Sequence, residues 1–266
     1  MTLTLKTEIL SPLGVRITGV DLAAASPETL EDLARRLRPM LAEHGVAILP
    51  GQQIDDEDFL AFLRSLGELT FTTGEAALEG YPDLNLISNV GREVAPVSNF
   101  HVDTSYLAHP PAYTALRAVA IPEEGGATQF TDQVAAAATL PADLREQVRG
   151  RTIRHVVTGV DGLGPDDETQ AEHPVLRPHP VTGRPVLYLT SPKRCASVSG
   201  LDEQASAELV AALLAHSTRP QNMLAHAWSP GDVVVWDNAC VLHRADHAGV
   251  VGDRVMHRGM VASHAG

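Results

Sequence analysis

The sequence contains little cysteine, with only Cys195 and Cys240 among its 266 residues. Two cysteines are too few for a disulfide framework, so the chain is expected to remain reduced. No run reaches about 18 uninterrupted apolar residues, which argues against a membrane-spanning helix. The first residues lack a basic segment followed by an apolar core, so we expect no signal peptide and a cytoplasmic location.

Basic residues are also scarce relative to acidic ones. Lysine and arginine number 20 against 33 aspartates and glutamates, which gives a formal net charge of −13. Nucleic-acid binding favours a basic surface, so this balance argues against a nucleic-acid partner. It leaves the substrate open, because a basic pocket can lie inside an acidic protein. The length and the hydrophobic content of 44% predict a single globular domain over residues 1–266.

What the chain does contain is a separated set of metal-binding residue types, His101, Asp103 and His243. Two imidazoles and one carboxylate can occupy one face of an Fe(II) ion and leave the other face open for O₂ and a co-substrate. Residues two apart on an extended segment point to the same side, so His101 and Asp103 can reach one ion. Chance alone produces about 1.5 histidine-x-acid triplets in this composition, so the surrounding sequence must decide.

The surrounding sequence extends the pattern over nearly the whole chain. In this order and with these gaps, the segments resemble the TauD/TfdA family of iron- and 2-oxoglutarate-dependent dioxygenases. The segments that carry the resemblance are ITGVDL (17–22), EHGVAILPGQ (43–52), FLAFLRSLG (59–67), SNFHVDTSY (98–106), the apolar run 113–121, and WDNACVLHR (236–244). The last of these is closer to the phenoxyacetate branch of the family than to the taurine branch.

The resemblance implies a mainly β fold with flanking α-helices, built as a double-stranded β-helix or cupin-like jelly-roll barrel. The order of elements agrees, because helical patterns cluster early and strand-like runs dominate later. The acidic segment 159–172 is long enough to be a lid or a disordered excursion, and both remain open. From capping residues and apolar spacing we predict helices over 26–45, 55–66, 131–138, 141–148 and 202–216. Strands are predicted over 46–49, 84–87, 113–121, 128–131, 152–158, 185–190, 223–228, 232–236 and 254–262.

The resemblance also implies the residues that bind the metal. His101, Asp103 and His243 are the expected iron ligands and therefore the catalytic residues. His247 is a rival for His243, which is preferred because it follows the segment 236–238 at the family's usual distance. The carboxylate of Asp103 argues against halogenation, since related halogenases carry a small residue there.

Three residues are expected to bind the co-substrate. Arg258 can hold an acidic group through a two-pronged carboxylate contact, and the resemblance assigns it the far carboxylate of 2-oxoglutarate. Thr128 is expected to donate its hydroxyl to the same carboxylate. Arg254 could assist from the same strand face, or it could form a salt bridge at the barrel rim.

The substrate pocket is less well marked. A cationic or polar residue in it would suit a carboxylate, sulfonate or sulfate, but solvated surface charge is the alternative at each position. Trp236 is expected either near the metal or simply in the core, and Cys240 as a small core residue. The candidate substrate-binding residues are Tyr106, Arg154, His155, Lys193 and Arg194.

The function implied is hydroxylation or oxidative cleavage at an unactivated C–H position of a small organic acid. Fe(II), 2-oxoglutarate and O₂ would be required, and succinate and CO₂ released. A homo-oligomer without nucleic-acid or membrane partners is the expected assembly. Two other classes stay open at this stage: a zinc hydrolase using the same three ligands, and a non-catalytic barrel that kept the fold and binds a ligand without turnover.

Overall fold

The structure, a computed structural model, describes residues 3–92, 98–160 and 162–263. Its helices are α1 (Pro27–His44), α2 (Asp56–Leu66), α3 (Gln133–Ala138), α4 (Ala142–Val148) and α5 (Glu203–Ser217), with short 3-10 helices at Pro192–Arg194 and Pro220–Asn222. Its strands are β1 (Lys6–Ile9), β2 (Val15–Thr18), β3 (Val46–Leu49), β4 (Leu69–Thr70), β5 (Ala77–Leu78), β6 (Tyr81–Ser88), β7 (Tyr113–Ala120), β8 (Thr128–Asp132), β9 (Thr152–Val156), β10 (Gln170–Pro174), β11 (Leu176–Pro178), β12 (Pro185–Leu187), β13 (Cys195–Val198), β14 (Met223–His226), β15 (Val233–Asp237), β16 (Val241–Ala245) and β17 (Val255–Val261).

The two early helices begin and end where local sequence chemistry predicts. The Ser26 hydroxyl accepts a hydrogen bond from the backbone N–H of Thr29 at the start of α1. Gly45 ends that helix at a positive φ of 74°, which a residue with a side chain adopts at a cost. Asp55 and Asp58 form a reciprocal capping box at the start of α2. Among the described residues, no helix is both long enough and apolar enough to cross a membrane.

Two β-sheets face each other across the centre of the molecule. The large sheet has nine strands in the order β1-β2-β3-β15-β7-β17-β6-β5, with β4 paired to β17, and all of its pairings except β2–β3 are antiparallel. The small sheet has the order β14-β8-β16 and is antiparallel throughout. This pair of facing antiparallel sheets is a jelly-roll barrel, and the predicted fold class is confirmed.

Strand β15 shows where the core lies, because all five of its side chains are buried. Val233 and Val235 pack with α1 and α2 on the outer face of the large sheet. Val234 and Trp236 point the other way and pack against Phe130 of the small sheet. Successive side chains of a strand alternate between faces, so a strand buried on both sides is continuously apolar. The barrel interior therefore lies on the face of β15 that carries Val234 and Trp236.

The structure corrects several predicted boundaries. The predicted helix 131–138 begins only at Gln133, because the Asp132 carboxylate accepts hydrogen bonds from the N–H groups of Val134 and Ala135 and so caps the helix there. The predicted loop 159–172 gives way to β10 at Gln170, which pairs with β9; Asp161 lies outside the described residues. Strands β1, β2, β4, β5, β11 and β13, each of two to four residues, were not predicted.

Candidate functional site

Three side chains from two separate segments meet at the mouth of the barrel. His101 and His243 form an isolated antiparallel bridge, with both backbone N–H···O distances at 3.0 Å. The chain then turns, and Asp103 presents one carboxylate oxygen 3.6 Å from His101 Nε2 and the other 3.8 Å from His243 Nε2. One ligand atom from each of the three residues lies within 4.8 Å of the other two. The structure therefore brings together the three residues that the sequence predicts as metal ligands.

The side-chain hydrogen bond of His101 uses Nδ1 and leaves Nε2 available to bind a metal. Its Nδ1 lies 2.7 Å from the carbonyl oxygen of Asn99 and therefore donates to it. The proton is then on Nδ1, and the lone pair of Nε2 faces Asp103. A metal-binding histidine commonly donates its other ring N–H to a carbonyl in this way, which fixes both the tautomer and the ring orientation.

A chain of hydrogen bonds orients the Asp103 carboxylate from behind. Trp236 donates its indole N–H to Asn238 at 3.2 Å, and Asn238 donates its amide to the Thr114 hydroxyl at 2.8 Å. The Thr114 hydroxyl then donates to Asp103 Oδ2 at 2.8 Å. Sequence reasoning missed Thr114 and Asn238, although both lie within segments that carry the family resemblance. The relay holds the carboxylate in one orientation toward the two imidazoles.

The charges of the three groups suit a divalent cation. Burial opposes ionisation of Asp103, but His243, His101 and Arg258 outweigh burial and hold its pKa well below the usual range. Burial also lowers the pKa of His243 to about 3, so its ring is neutral at ordinary pH. Two neutral imidazoles and one ionised carboxylate are the donor set of a non-haem Fe(II) site with open positions. The residues present therefore fit the metal.

A second group of metal-binding residue types, His179, Asp237 and Cys240, is also buried. Here both ring nitrogens of His179 already form hydrogen bonds within the protein. Its Nδ1 accepts from the backbone N–H groups of Val181 and Thr182, and its Nε2 donates to Asp237 at 3.1 Å. Burial raises the pKa of Cys240 well above the usual range, so the thiol stays protonated. This group is a structural histidine–aspartate pair, and Cys240 is a core residue, as predicted.

A cavity of about 260 Å³ opens beside the three candidate ligands. Trp236 lines it and packs against the ring of His243, with 4.5 Å between ring centroids. Trp236 is thus both a core residue and a neighbour of the ligands, so both alternatives predicted for it from the sequence hold. The other polar side chains that line the cavity are Thr128, Arg254, Arg258, Ser88 and His247, together with the exposed Arg92 and the half-buried Ser98.

Arg254 is the arginine that lies against Thr128. Its Nη2 donates to the Thr128 hydroxyl at 3.2 Å, and its Nε donates to the carbonyl of Gly126 at 2.9 Å. The side chain is almost fully buried, and burial lowers its pKa to about 10, which still leaves it charged at neutral pH. Across the described ranges, no carboxylate lies within ion-pair distance of this guanidinium. A buried cation in that position is well placed to receive an anionic ligand.

Arg258 has different neighbours from Arg254, so the predicted sharing of one carboxylate by Arg258 and Thr128 stays a prediction. Its guanidinium donates to Asn85 at 3.0 Å, forms an ion pair with Glu75, and lies 3.6 Å from Asp103. Four residues of extended chain span about 13 Å, so residues 254 and 258 contact different parts of the cavity even when they share a face. Sequence spacing alone does not show which of the two faces Thr128.

The structure places four of the five substrate candidates in three locations. Lys193 and Arg194 line a shallow pocket of about 190 Å³ together with His101. Tyr106 is buried beside a different cavity, next to Phe71 and the segment 166–168. Arg154 is exposed on β9, away from the described lining of the metal cavity. Only Lys193 and Arg194 therefore share a pocket with a candidate ligand.

His155 is not brought to the cavity either. Its ring is fully buried, stacks on Tyr188 with 5.5 Å between centroids, and meets His173 edge to face at 5.1 Å. Strand alternation explains the outcome, since neighbouring residues of β9 point to opposite sides and only the inward one joins this aromatic cluster. His155 is a core histidine.

This burial makes His155 a source of acid sensitivity. Burial, with His173 and Arg177 nearby, lowers its pKa to about 3, whereas the unfolded chain binds the proton near pH 6.5. The folded state binds fewer protons, so stability is unaffected above pH 6.5 and falls as the pH drops from there toward 3. The natural chain should lose free energy of unfolding when the pH falls from 7 to 5.5. We expect this loss to be smaller by about 1 kcal/mol in His155→Phe, which keeps the stack on Tyr188. Urea unfolding at both pH values measures it.

The control for that prediction is replacement of the exposed His109 by glutamine, measured in parallel at both pH values. An unchanged pH dependence in His155→Phe, relative to the natural chain, would contradict a depressed pKa at this position.

The fold and the site define a class of protein, the 2-oxoglutarate-dependent non-haem iron dioxygenases. Within that class, the chain belongs to the family described as taurine catabolism dioxygenase TauD, TfdA family, whose model matches residues 6–260. The predicted family and enzyme class are confirmed. Fe(II), 2-oxoglutarate and O₂ are the cofactor and co-substrates of this class, and the zinc-hydrolase and binding-barrel alternatives find no support.

Named relatives span most of the chain. It is 31% identical, over 84% of its length and 86% of the relative's, to the alpha-ketoglutarate-dependent 2,4-dichlorophenoxyacetate dioxygenase of Cupriavidus pinatubonensis. It is 29% identical, over 88% of its length and 81% of the relative's, to the alpha-ketoglutarate-dependent sulfate ester dioxygenase of Pseudomonas putida. The crystal structure of a taurine dioxygenase from Burkholderia xenovorans superposes with a TM-score of 0.82 at 30% identity, covering 97% of this chain and 91% of that one.

Proposed function

We propose that this dioxygenase hydroxylates a C–H position of a small organic anion while converting 2-oxoglutarate to succinate and CO₂. The observation that carries the proposal is the placement of two arginines in one cavity, Arg254 against Thr128 and Arg258 beside Asp103. Two cationic positions beside one metal site suit two different anions. Where the hydroxylated carbon bears oxygen, nitrogen or sulfur, the product breaks at that bond.

His101, Asp103 and His243 are the residues we propose as iron ligands. Iron bound there would supply the activation of O₂, which no side chain of the protein can perform. The chain's own contribution is to hold the three ligands in place and to limit water access. Asp103 is only 4% exposed and His243 only 7%, whereas His101 borders the open side of the cavity.

The far carboxylate of 2-oxoglutarate is proposed to bind Arg254 and Thr128. Arg254 is buried and faces no carboxylate among the residues that the structure describes, so an incoming dianion supplies the missing charge. Arg258 suits this task less well, because Glu75 and Asp103 already lie against it. This proposal differs from the assignment implied by the family resemblance, in which Arg258 holds that carboxylate.

The substrate anion is proposed to bind on the side of Arg258, with Lys193 and Arg194 near the entrance beside His101. The named relatives act on a phenoxyacetate and on sulfate esters, which are anions of this kind. An anion reaching Arg258 would compete with Glu75 for its guanidinium. A small carboxylate, sulfonate or sulfate ester is therefore the substrate class that we propose.

A matched substrate panel tests this proposal. Purified protein with Fe(II) and 2-oxoglutarate would be given phenoxyacetate, an alkyl sulfonate and an alkyl sulfate, each beside its uncharged alcohol. We expect at least one anion to raise succinate formation about tenfold over its neutral partner, since a charged hydrogen bond is worth about that much. Equal stimulation by the neutral partners would contradict the anionic class. No 2-oxoglutarate consumption at all, together with no binding of 2-oxoglutarate to the iron protein, would contradict the activity itself.

We also propose that the chain acts as one domain in a cytoplasmic homo-oligomer, as the family resemblance implies. Light scattering of the purified protein checks the assembly, and a single species of monomer mass would contradict it.

A further inference from the structure

The Thr128 hydroxyl is unusual in receiving two donors at once. Its Oγ1 accepts from the indole N–H of Trp228 at 3.0 Å and from Arg254 Nη2 at 3.2 Å. Thr128 is only 1% exposed and Trp228 only 8%, so water does not compete freely for these contacts. Sequence reasoning predicted a role for Thr128 but none for Trp228.

A threonine hydroxyl has two acceptor lone pairs and one proton. With both lone pairs taken by N–H groups, the oxygen has no further capacity to accept, and the group can engage a ligand only by donating its O–H. Thr128 lines the metal cavity, so that donor is available to an acceptor held beside Arg254. Among common ligand groups, a carboxylate oxygen meets this requirement and an N–H or ammonium group does not.

We propose that Trp228 is a positioning residue for the co-substrate: its indole N–H occupies one lone pair of Thr128 and makes the Thr128 hydroxyl a donor to the far carboxylate of 2-oxoglutarate. The inference rests on the proposed function of Thr128 and Arg254. It adds that the site selects 2-oxo acids that carry a far carboxylate over those that lack one. A 2-oxo acid without the far carboxylate leaves the Thr128 hydroxyl and the buried Arg254 without an acceptor, and unpaired buried donors strongly disfavour binding.

The surroundings of Trp228 hold its ring in place. His226 packs edge to face on the indole, with 4.8 Å between ring centroids. His226 Nε2 lies 3.0 Å from Asp232, whose carboxylate also accepts from the backbone N–H of Ser229. His226 is moreover the register partner of Thr128 in the β14–β8 pairing. Trp228 is therefore fixed to the same strand pair that carries Thr128.

Binding measured without turnover tests the proposal. The protein would be loaded with Zn(II), which does not change oxidation state, and titrated calorimetrically with 2-oxoglutarate. Trp228→Phe removes the indole N–H and keeps an aromatic ring, and we expect it to weaken binding about 5- to 10-fold. Thr128→Val, which removes the hydroxyl, should weaken binding about 10-fold. The double variant should be no worse than Thr128→Val, because Trp228 acts through that hydroxyl.

The matched control is 2-oxopentanoate, which has the chain length of 2-oxoglutarate but lacks the far carboxylate. Trp228→Phe should leave its affinity unchanged. Equal weakening of both ligands, or additive losses in the double variant, would show that Trp228 only supports the fold and would overturn the proposal. If the natural chain fails to bind 2-oxoglutarate, or Thr128→Val binds it normally, the proposed function fails instead.

A second measurement needs no change at Trp228. The sequence has two tryptophans, so a proton–nitrogen spectrum of the zinc protein contains two indole signals. We expect Thr128→Val to shift one of them strongly and to abolish the response of that signal to 2-oxoglutarate. Two indole signals that are indifferent to Thr128→Val would overturn the proposal even if Trp228→Phe does not fold.

Discussion

Asp103→Ala should lower turnover by about 10³-fold or more and should lower bound iron to background, because the only anionic ligand of the cluster is lost. The carboxylate lies within 3.8 Å of both histidines and balances the charge of a divalent cation that two neutral rings cannot balance. His243→Gln should have an effect of similar size. Elemental analysis of purified protein and succinate formation measure the two outcomes.

His247 provides the matched control for the metal ligands. It lines the same cavity, four positions after His243, but it is not part of the ligand cluster. His247→Gln should therefore retain iron where His243→Gln loses it. Loss of iron in His247→Gln with retention in His243→Gln would assign the ligand to the other histidine. Full turnover in Asp103→Ala with iron still bound would contradict the site as a whole.

Arg254→Gln should raise the dissociation constant for 2-oxoglutarate by about 10- to 100-fold, the value of one or two charge-assisted hydrogen bonds. Arg258→Gln should change that constant by less than about threefold and should instead raise the KM for the substrate anion. The reason is contact: Arg254 lies on Thr128, whereas Arg258 lies on Glu75, Asn85 and Asp103. Calorimetry on the zinc protein separates binding from catalysis.

The opposite pattern of effects on 2-oxoglutarate binding would be equally informative. If Arg258→Gln weakens 2-oxoglutarate binding and Arg254→Gln does not, the pairing implied by the family resemblance is the correct one. Both substitutions replace arginine by the same shorter, uncharged polar side chain, so each variant removes one guanidinium group and its charge. A fall in 2-oxoglutarate affinity in both would indicate that the two arginines share one anion.

Sequence was most informative where chemistry is local. Ser26 and the apolar spacing predicted the starts of α1 and α2, and the N-cap contacts that the structure shows there join residues three apart. The ligand residues were recognised from their neighbouring motifs. Their meeting depends on a bridge between positions 101 and 243, which no short-range pattern encodes.

Long-range register is what the sequence did not show. Whether residue 254 or 258 faces Thr128 depends on how β17 and β8 sit across the barrel, and the two arginines look alike along the chain. His155 has the same difficulty, because a strand pattern predicts alternation but not which side is the core. Thr114, 124 residues from Asn238, joined the Asp103 relay only when the fold placed it there.

The backbone bridge between His101 and His243 has a consequence for the order of events. Two main-chain hydrogen bonds hold the ligand-bearing segments together through amide groups that a metal ion does not touch. The site is thus pre-organised by folding, and the ligand residues are in position before iron binds. Metal binding then costs little conformational entropy. We expect the protein to stay folded when the metal is removed and to bind it again.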